Sequence, residues 1–208
     1  MIAREALLKT TRDIINLQKQ LNDQIDINWR ENNHDYQRAI TVELAELLNH
    51  HGYKWWKKQK RDINQIHLEI VDIFHFMLCD ILTDDCLSEE HILGTLCMQR
   101  NSYTNENEVI QLIDTTLTAA AQKKFSLFHL KDLMDAYFMD VDMLFKLYLG
   151  KNTLNAFRQQ NGYNNGTYKK VWNGLEDNQV LLNILNNTEL DKDFEQSVLG
   201  RLSFEYNL

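Results

Sequence analysis

Apolar residues recur along this chain at the three- and four-residue spacing of amphipathic helices. In residues 3–24 they form one broad stripe, made of Leu7, Leu8, Ile14, Ile15, Leu17 and Leu21. The same spacing predicts further helices over residues 36–50, 63–83, 88–100, 106–121 and 176–200, while residues 129–160 make either one long helix or two. No segment alternates apolar and polar residues strongly enough to compete as a β-strand. The pattern therefore predicts an all-α fold class with a helical-bundle core.

Residues 63–83 form the most apolar of these predicted helices. A helix that is apolar most of the way round is buried, either in a core or at a subunit interface. The helix before it, residues 36–50, is followed by Gly52, a residue that commonly ends helices. Between the first two helices, the polar connection around Asp26–Asp35 contains Trp29, which we expect to plug the core.

The composition supports long helices and one domain. The 208 residues include no Pro and only seven Gly, so little interrupts helical segments. We expect residues 1–208 to form a single all-α domain, as this length allows. Four of the glycines, Gly150, Gly162, Gly166 and Gly174, lie close together and predict a mobile closing loop over residues 150–174.

The charge and the cysteines exclude several classes of function. A net charge of −8 argues against a general nucleic-acid binder, which would carry a basic stripe. No apolar run reaches the roughly 18–20 residues of a membrane span, so we expect a cytoplasmic protein without a membrane partner. Cys79, Cys86 and Cys97 contain no CxxC pair and predict reduced thiols rather than a zinc site or disulfides.

Four carboxylates form two helix-spaced pairs. Glu43 and Glu46 lie on one predicted helix, and Glu69 and Asp72 on the next, each pair at i, i+3 on one face. A single pair would be read as surface decoration. Two pairs on consecutive helices can meet in a bundle, where inward-facing acids need a compensating cation. The sequence therefore predicts a metal site between two central helices.

The ligand types indicate which metal this site would take. Oxygen-only ligands favour Mg²⁺, with Mn²⁺ as a possible substitute, over iron or zinc. Di-iron bundles also use Glu-x-x-His. Here His75 follows Asp72 by three residues, but no His lies three residues after Glu43 or Glu46.

A second group of residues is suited to phosphate binding. Lys151, Asn155 and Arg158 are spaced by four and three residues, so they line one face of a helix. A cation, an amide and a guanidinium on one face suit a phosphate chain and a polar ligand edge. The glycine-rich loop that follows could close over the ligand. A solvated helix end followed by a turn is an alternative interpretation.

These motifs, in this order, resemble those of a known family. The segments are Glu43–Glu46, Lys54–Lys57, Glu69–Phe76 and, longest and most specific, KNTLNAFRQQNGYNNGTYKKVW from Lys151 to Trp172. Together they resemble the all-α, dimeric dUTP pyrophosphatases (dUTPases). The resemblance runs from Leu17 to about Asn178 and is weak over residues 84–128.

The resemblance implies a homodimer that hydrolyses dUTP, and also dUDP, to dUMP with Mg²⁺. This reaction keeps uracil out of DNA and supplies dUMP for thymidylate synthesis. The family's metal-ligand positions fall on Glu43, Glu46, Glu69 and Asp72. Its nucleotide and phosphate positions fall on Gln18, Asn22, Lys54, Trp56, Lys57, His75, Phe76, Lys151, Asn155, Arg158, Tyr163 and Lys170.

The resemblance also suggests attack on the β-phosphorus. We take Glu46, beside the metal, as the residue that orients and deprotonates the attacking water. Phe76 would pack on the deoxyribose, or it is an ordinary core residue. His75 would belong to the nucleotide site, or it is a satisfied buried histidine. Two rival functions stay open: a MazG-like nucleotide pyrophosphatase with another base preference, and a non-catalytic helical dimerisation protein.

Overall fold

The fold is described from a computed structural model, which covers residues 2–84 and 87–208. Cys86 therefore lies outside the described residues. The helices are α1 Ile2–Ile25, α2 Tyr36–His51, α3 Ile63–Asp84, α4 Glu89–Leu96, α5 Glu106–Ala121, α6 Leu127–Ala136, α7 Val141–Gln160, α8 Asp177–Asn186 and α9 Phe194–Tyr206. A short 3-10 turn, Tyr163–Asn165, and two strands, β1 Val171–Trp172 and β2 Leu175–Glu176, lie between α7 and α8. The all-α fold class is confirmed.

Helix α2 begins and ends where its capping residues dictate. The Asp35 side chain accepts a hydrogen bond from the backbone N–H of Arg38, which satisfies one of the free donors of the first turn. Gly52 adopts the left-handed conformation with φ of 88°, and its N–H bonds the carbonyl of Asn49. The predicted stop at Gly52 is therefore confirmed.

Helices α2 and α3 form an antiparallel pair at the centre of the fold. Gln37, at the start of α2, donates to Asp80 near the end of α3, with a distance of 2.6 Å from Nε2 to Oδ2. At the other end of the pair, His50 lies beside Glu69. Helices α1 and α7 pack against this pair, and α8 and α9 pack against α7. A single apolar cluster runs through these helices, with Ile14, Ile40, Ile70, Leu144 and Leu181 among its fully buried members.

Two of the predicted helices end early in the structure, and residues 129–160 take the second of their two predicted forms. The predicted helix 88–100 ends at Leu96, because Arg100 and Asn101 leave the helix and donate hydrogen bonds to Asp135 on α6. Residues 129–160 form two helices, separated where Phe138 has a φ of 57°. The single helix predicted over 176–200 is wrong: α8 ends at Asn186, and Asn187 and Thr188 bond back to its last carbonyls.

The structure also differs from the closing loop that was predicted over residues 150–174. Gly150 and the residues up to Gln160 belong to α7, so the loop begins only at Asn161. A two-stranded hairpin then follows, although no strand was predicted. Its turn is Asn173-Gly174, with φ of 50° and 83°, a dipeptide that favours tight hairpins.

Two further features of the described chain bear on its environment. Within residues 2–84 and 87–208, no helix is both long enough and apolar enough to cross a membrane. Cys79 and Cys97 carry free thiols, the first buried and the second exposed.

Candidate active site

A cavity of about 480 Å³ opens between α1, α2, α3 and the end of α7. Many of the residues predicted for nucleotide or metal binding line it, some located by helix spacing and others, such as Gln18, Asn22 and Tyr163, by the family resemblance. They are Gln18, Asn22, Glu43, Asp72, His75, Phe76, Asn155, Arg158 and Tyr163. The structure therefore brings residues predicted from four separate segments into one shared cavity.

Three acids meet at one side of this cavity, and we refer to them as the acid centre. Glu43 on α2 and Glu69 and Asp72 on α3 each place a carboxylate oxygen within 4.8 Å of the others. Burial, together with the charge of Asp72, raises the pKa of Glu43 to about 7 and that of Glu69 to about 9. The cluster holds more negative charge than its protein surroundings compensate.

Glu46, the fourth predicted ligand, is not part of the acid centre. Its side chain is exposed, one helical turn beyond Glu43 on α2. Its charge nonetheless raises the pKa of both Glu43 and Glu69, so it lies close to them. The structure therefore brings three of the four predicted acids together and leaves Glu46 beside them.

Two basic side chains lie against the acid centre. Lys151 Nζ is buried 2.7 Å from Asp72 Oδ2 and 2.9 Å from the side-chain oxygen of Asn178 on α8. His50 Nε2 lies 3.5 Å from Glu69 Oε1. One lysine cannot neutralise three carboxylates. The donor set of carboxylate oxygens, short of positive charge, fits a hard divalent cation.

Arg158 reaches the cavity from a fixed position rather than as a free cation. Its Nε and Nη2 each lie 2.8 Å from a carboxylate oxygen of Asp177, which is fully buried at the start of α8. Tyr168 donates to the same carboxylate at 2.9 Å, and Arg158 also donates to Asn155 at 3.0 Å. A bidentate pair of this kind holds the guanidinium in one orientation.

On the other side of the cavity, five side chains form a hydrogen-bonded group that we name the amide cluster. Gln18 Oε1 accepts from Tyr148 at 2.7 Å and lies 2.8 Å from His75 Nδ1. Gln18 Nε2 donates to Asn22 Oδ1 at 2.8 Å and approaches Cys79 Sγ at 3.2 Å. The Cys79 thiol in turn donates to Asn22 Oδ1 at 3.2 Å.

Two polar atoms of the amide cluster have no partner among the described residues. They are the Asn22 amide nitrogen, Nδ2, and the second ring nitrogen of His75, Nε2. Burial lowers the pKa of His75 to about 4, so its ring is neutral near pH 7. Because Gln18 Oε1 can only accept, His75 Nδ1 carries the proton and Nε2 offers a lone pair. Two residues that line the cavity thus hold one unused donor and one unused acceptor, both buried.

Four of the predicted nucleotide-binding residues lie away from the cavity of their own chain. Lys54 donates to the side chain of Asn49, and Trp56 is exposed with its ring against Tyr53 and Trp55. Lys57 and Lys170 are exposed as well. The helix spacing that located the other residues gives no such guide for these, because all four lie outside helices.

A family model described as dUTPase matches residues 10–163, which include all four acids and the segment from Lys151 to Tyr163. The chain belongs to the dUTPase family. It is therefore an enzyme that hydrolyses dUTP to dUMP, and the predicted family and activity are confirmed. Enzymes of this family generally depend on a divalent metal. Among curated proteins, the comparison found no match to the chain.

Several residues of this dUTPase site were not predicted. Tyr148 precedes Lys151, Asn155 and Arg158 by three, seven and ten residues, so the helical spacing that identified those three also includes it. Cys79 likewise follows His75 by four residues on α3. Asp177 and Asn178 gave no signal, because the contacts that bring α8 to α7 are tertiary and leave no local pattern.

Proposed function

We propose that the cavity holds dUTP along α3, with uracil at the amide cluster and the phosphate chain at the acid centre. The observation that supports this proposal is that one cavity contains both the charged acid centre and the neutral amide cluster. Along α3, Asp72 and Cys79 are separated by about 10 Å of helix, from the rise of 1.5 Å per residue. A nucleotide can therefore contact both groups with its two ends.

The pattern of unused atoms fits uracil better than cytosine; thymine has the same hydrogen-bonding edge as uracil, so this pattern does not separate those two. Uracil offers an N–H donor at N3 beside a carbonyl acceptor at C4. Those groups complement the lone pair of His75 Nε2 and the donor Asn22 Nδ2. Buried polar atoms left without partners are costly, so a base that satisfies both is favoured over one that satisfies neither.

We further propose Mg²⁺ as the divalent ion, with Mn²⁺ as a substitute, held by Glu43, Glu69 and Asp72. Such an ion neutralises phosphate charge and lowers the pKa of bound water. Glu46, exposed beside the three ligands, would accept the proton of the attacking water. The water oxygen bonds to the β-phosphorus as the bond to the α-phosphate oxygen breaks, which releases dUMP. Because dUDP contains the same bond, it is expected as a second substrate.

Lys151 and Arg158 would bind phosphate oxygens from positions already fixed by Asn178 and Asp177. Phe76 and Tyr163 also line the cavity, and they would lie between the base and the phosphates. We expect Phe76 to pack on the deoxyribose, where a 2′-hydroxyl would lose its water without gaining a partner.

We also propose that the active enzyme is a homodimer. The rings of Tyr53, Trp55 and Trp56 form an exposed aromatic group beside Lys54 and Lys57, and a second copy that covers it would remove apolar surface from water. The lysines could then reach phosphates in the partner's cavity. Sedimentation that gives only the 24.7 kDa monomer would remove this part of the proposal. The two free thiols fit a reducing compartment such as the cytoplasm.

The experiment that tests this function is a panel of dNTPs assayed for pyrophosphate, with Mg²⁺ and with EDTA. We expect turnover of dUTP with Mg²⁺, little turnover of dCTP or dTTP, and none with EDTA. In the same assay Glu46→Gln should lower kcat while Mn²⁺ binding persists. Comparable turnover of dCTP or dTTP would contradict the assignment of the base, and full activity in EDTA would contradict the metal.

A further inference from the structure

Tyr148 belongs to the amide cluster but does not line the cavity. It lies on α7 and is fully buried. Its ring stacks on His75, with centroids 4.1 Å apart and an angle of 23° between the planes. Its hydroxyl lies 2.7 Å from Gln18 Oε1. Any effect of Tyr148 on a bound base must therefore pass through Gln18 and His75.

The Gln18 side chain decides the direction of every hydrogen bond in the amide cluster. With its carbonyl towards Tyr148 and His75, its NH₂ group donates to Asn22 Oδ1. Asn22 Oδ1 is then occupied, and Asn22 Nδ2 is the free donor. His75 must carry its proton on Nδ1, so its Nε2 is the free acceptor.

If the Gln18 amide were reversed, both free atoms would change character. Gln18 would donate to His75 Nδ1, so the proton would move to His75 Nε2 and make it a donor. Asn22 would turn its NH₂ group towards Gln18 and present its oxygen as an acceptor. A base with an acceptor at N3 and an amino group at C4 would then fit, and this is cytosine rather than uracil.

The Tyr148 hydroxyl opposes that reversal. In the observed orientation it donates to Gln18 Oε1 at 2.7 Å. In the reversed orientation it would have to accept from Gln18 and send its own hydrogen elsewhere. The backbone carbonyl of Ile14 lies at 3.5 Å, a poor hydrogen-bond distance. The Asn152 side chain also lies near the hydroxyl, but it lowers the Tyr148 pKa as a donor would, so its amide would have to turn before it could accept. The hydroxyl thus favours the arrangement that suits uracil.

We propose that Tyr148 is a positioning residue for base selection: its hydroxyl fixes the Gln18 amide and the His75 tautomer, which makes the cavity select uracil over cytosine. This inference rests on the proposed function in one respect, the placement of the base at the amide cluster. It assigns Tyr148 no contact with the substrate. Its effect is on which base binds, and the acid centre is unaffected.

The test is Tyr148→Phe, which removes the hydroxyl and keeps the ring on His75. We expect the ratio of kcat/KM for dUTP to that for dCTP to fall by about tenfold, the worth of one net buried hydrogen bond. The change should come from a higher KM for dUTP, with kcat nearly unchanged. The matched control is Tyr137→Phe, because the Tyr137 hydroxyl also bonds a buried histidine, His51 at 2.7 Å, away from the cavity. That control should lose similar stability and keep the ratio.

A second measurement reads the His75 ring directly by ¹⁵N NMR and needs no substrate or metal. We expect the Nδ1–H tautomer in the wild type and a mixture of tautomers in Tyr148→Phe. A wild type that does not prefer dUTP would contradict the proposed base site itself. A selective wild type with an equally selective Tyr148→Phe and an unchanged tautomer would overturn the role of Tyr148 alone.

Discussion

The acid centre and the amide cluster lie in the same cavity, but the first is short of positive charge and the second is short of hydrogen-bond partners. Glu43, Glu69 and Asp72 place three carboxylates together against one lysine, so the acid centre lacks positive charge. The amide cluster is neutral and almost fully hydrogen-bonded, and within the described chain it lacks only two partners. In the proposed function the first needs a divalent ion to act, whereas the second needs only a base with the matching hydrogen-bonding edge. Catalysis and base selection should therefore respond to different changes.

The largest expected effect comes from Glu69→Gln. The substitution keeps the side-chain shape but removes a buried carboxylate that we propose as a metal ligand, so kcat/KM for dUTP should fall on the order of a thousandfold, as for loss of a key electrostatic group. Without metal the variant should be at least as stable as the wild type, because burial already opposes the charge of Glu69. Thermal unfolding in EDTA and steady-state kinetics measure both.

A matched control for that variant is Asp80→Asn on the same helix. Asp80 lies outside the acid centre and accepts a hydrogen bond from Gln37, which an Asn oxygen can still accept. Activity should persist in this variant. Equal loss of activity in Asp80→Asn and Glu69→Gln would indicate that α3 tolerates no acid-to-amide change and would weaken the metal-ligand assignment.

The next largest effect is expected in the pH dependence of stability, to which the acid centre and His75 of the amide cluster should contribute with opposite sign. The pKa values of Glu43 and Glu69 rise from 4.5 to about 7 and about 9 on folding. The folded state therefore binds more protons, and in EDTA its stability should fall as pH rises from about 4.5 to 9. Burial lowers the pKa of His75 from 6.5 to about 4, so the stability that neutral His75 contributes is lost instead as pH falls from about 6.5 to about 4.

Above pH 6.5 His75 is neutral in both the folded and the unfolded state. Of these two groups, only the acid centre then makes the stability depend on pH. Denaturant unfolding between pH 7 and pH 9 should show a decline in stability that Glu69→Gln reduces and that saturating Mg²⁺ removes, since a bound cation favours the ionised carboxylates. A decline that is identical in Glu69→Gln would mean that other groups cause it.

The smallest effect is expected where α7 packs against α8. A Cβ on Gly150 would lie 2.7 Å from both terminal methyls of Leu185 on α8. Gly150→Ala should cost about 1–3 kcal/mol through overpacking. Because α8 carries Asp177 and Asn178, which hold Arg158 and Lys151, kcat should drop severalfold while the preference for dUTP over dCTP stays unchanged.

Gly200→Ala on α9 is the matched control for this substitution. A Cβ there would meet no atom within 4 Å, so the variant should be as stable as the wild type or more stable, because Ala favours helix. A change of base preference in Gly150→Ala would show instead that α8 also sets the geometry of the amide cluster.

Helical periodicity is why so much of this site was predictable from sequence. Glu43, Asp72, His75, Asn155 and Arg158 are spaced so that each helix turns one face to the cavity, and that spacing is local. Gly150 was misplaced in a loop because a glycine count cannot distinguish a turn from a close helix contact. The hairpin at Asn173-Gly174 carried a known turn signal, but its strands are too short for any alternation to be visible.

What the sequence could not reveal depends on tertiary contacts. Glu46 shares the spacing of Glu43, yet the rotation of α2 about its axis leaves it exposed. Asp177 lies nineteen residues after its partner Arg158, on a different helix. The direction of the hydrogen bonds in the amide cluster depends on Tyr148, Gln18 and His75 together, from three helices, and no single segment encodes it.

The most direct test of the account is a crossed titration of wild type, Glu69→Gln and Tyr148→Phe. Mn²⁺ binding is followed by electron paramagnetic resonance, and the binding of deoxyuridine and deoxycytidine is followed by calorimetry in EDTA. Glu69→Gln should lose Mn²⁺ and keep the preference for deoxyuridine, whereas Tyr148→Phe should keep Mn²⁺ and lose that preference. If each variant lost both properties, or if neither lost either, the division of the cavity into a metal-binding acid centre and a base-selecting amide cluster would be contradicted.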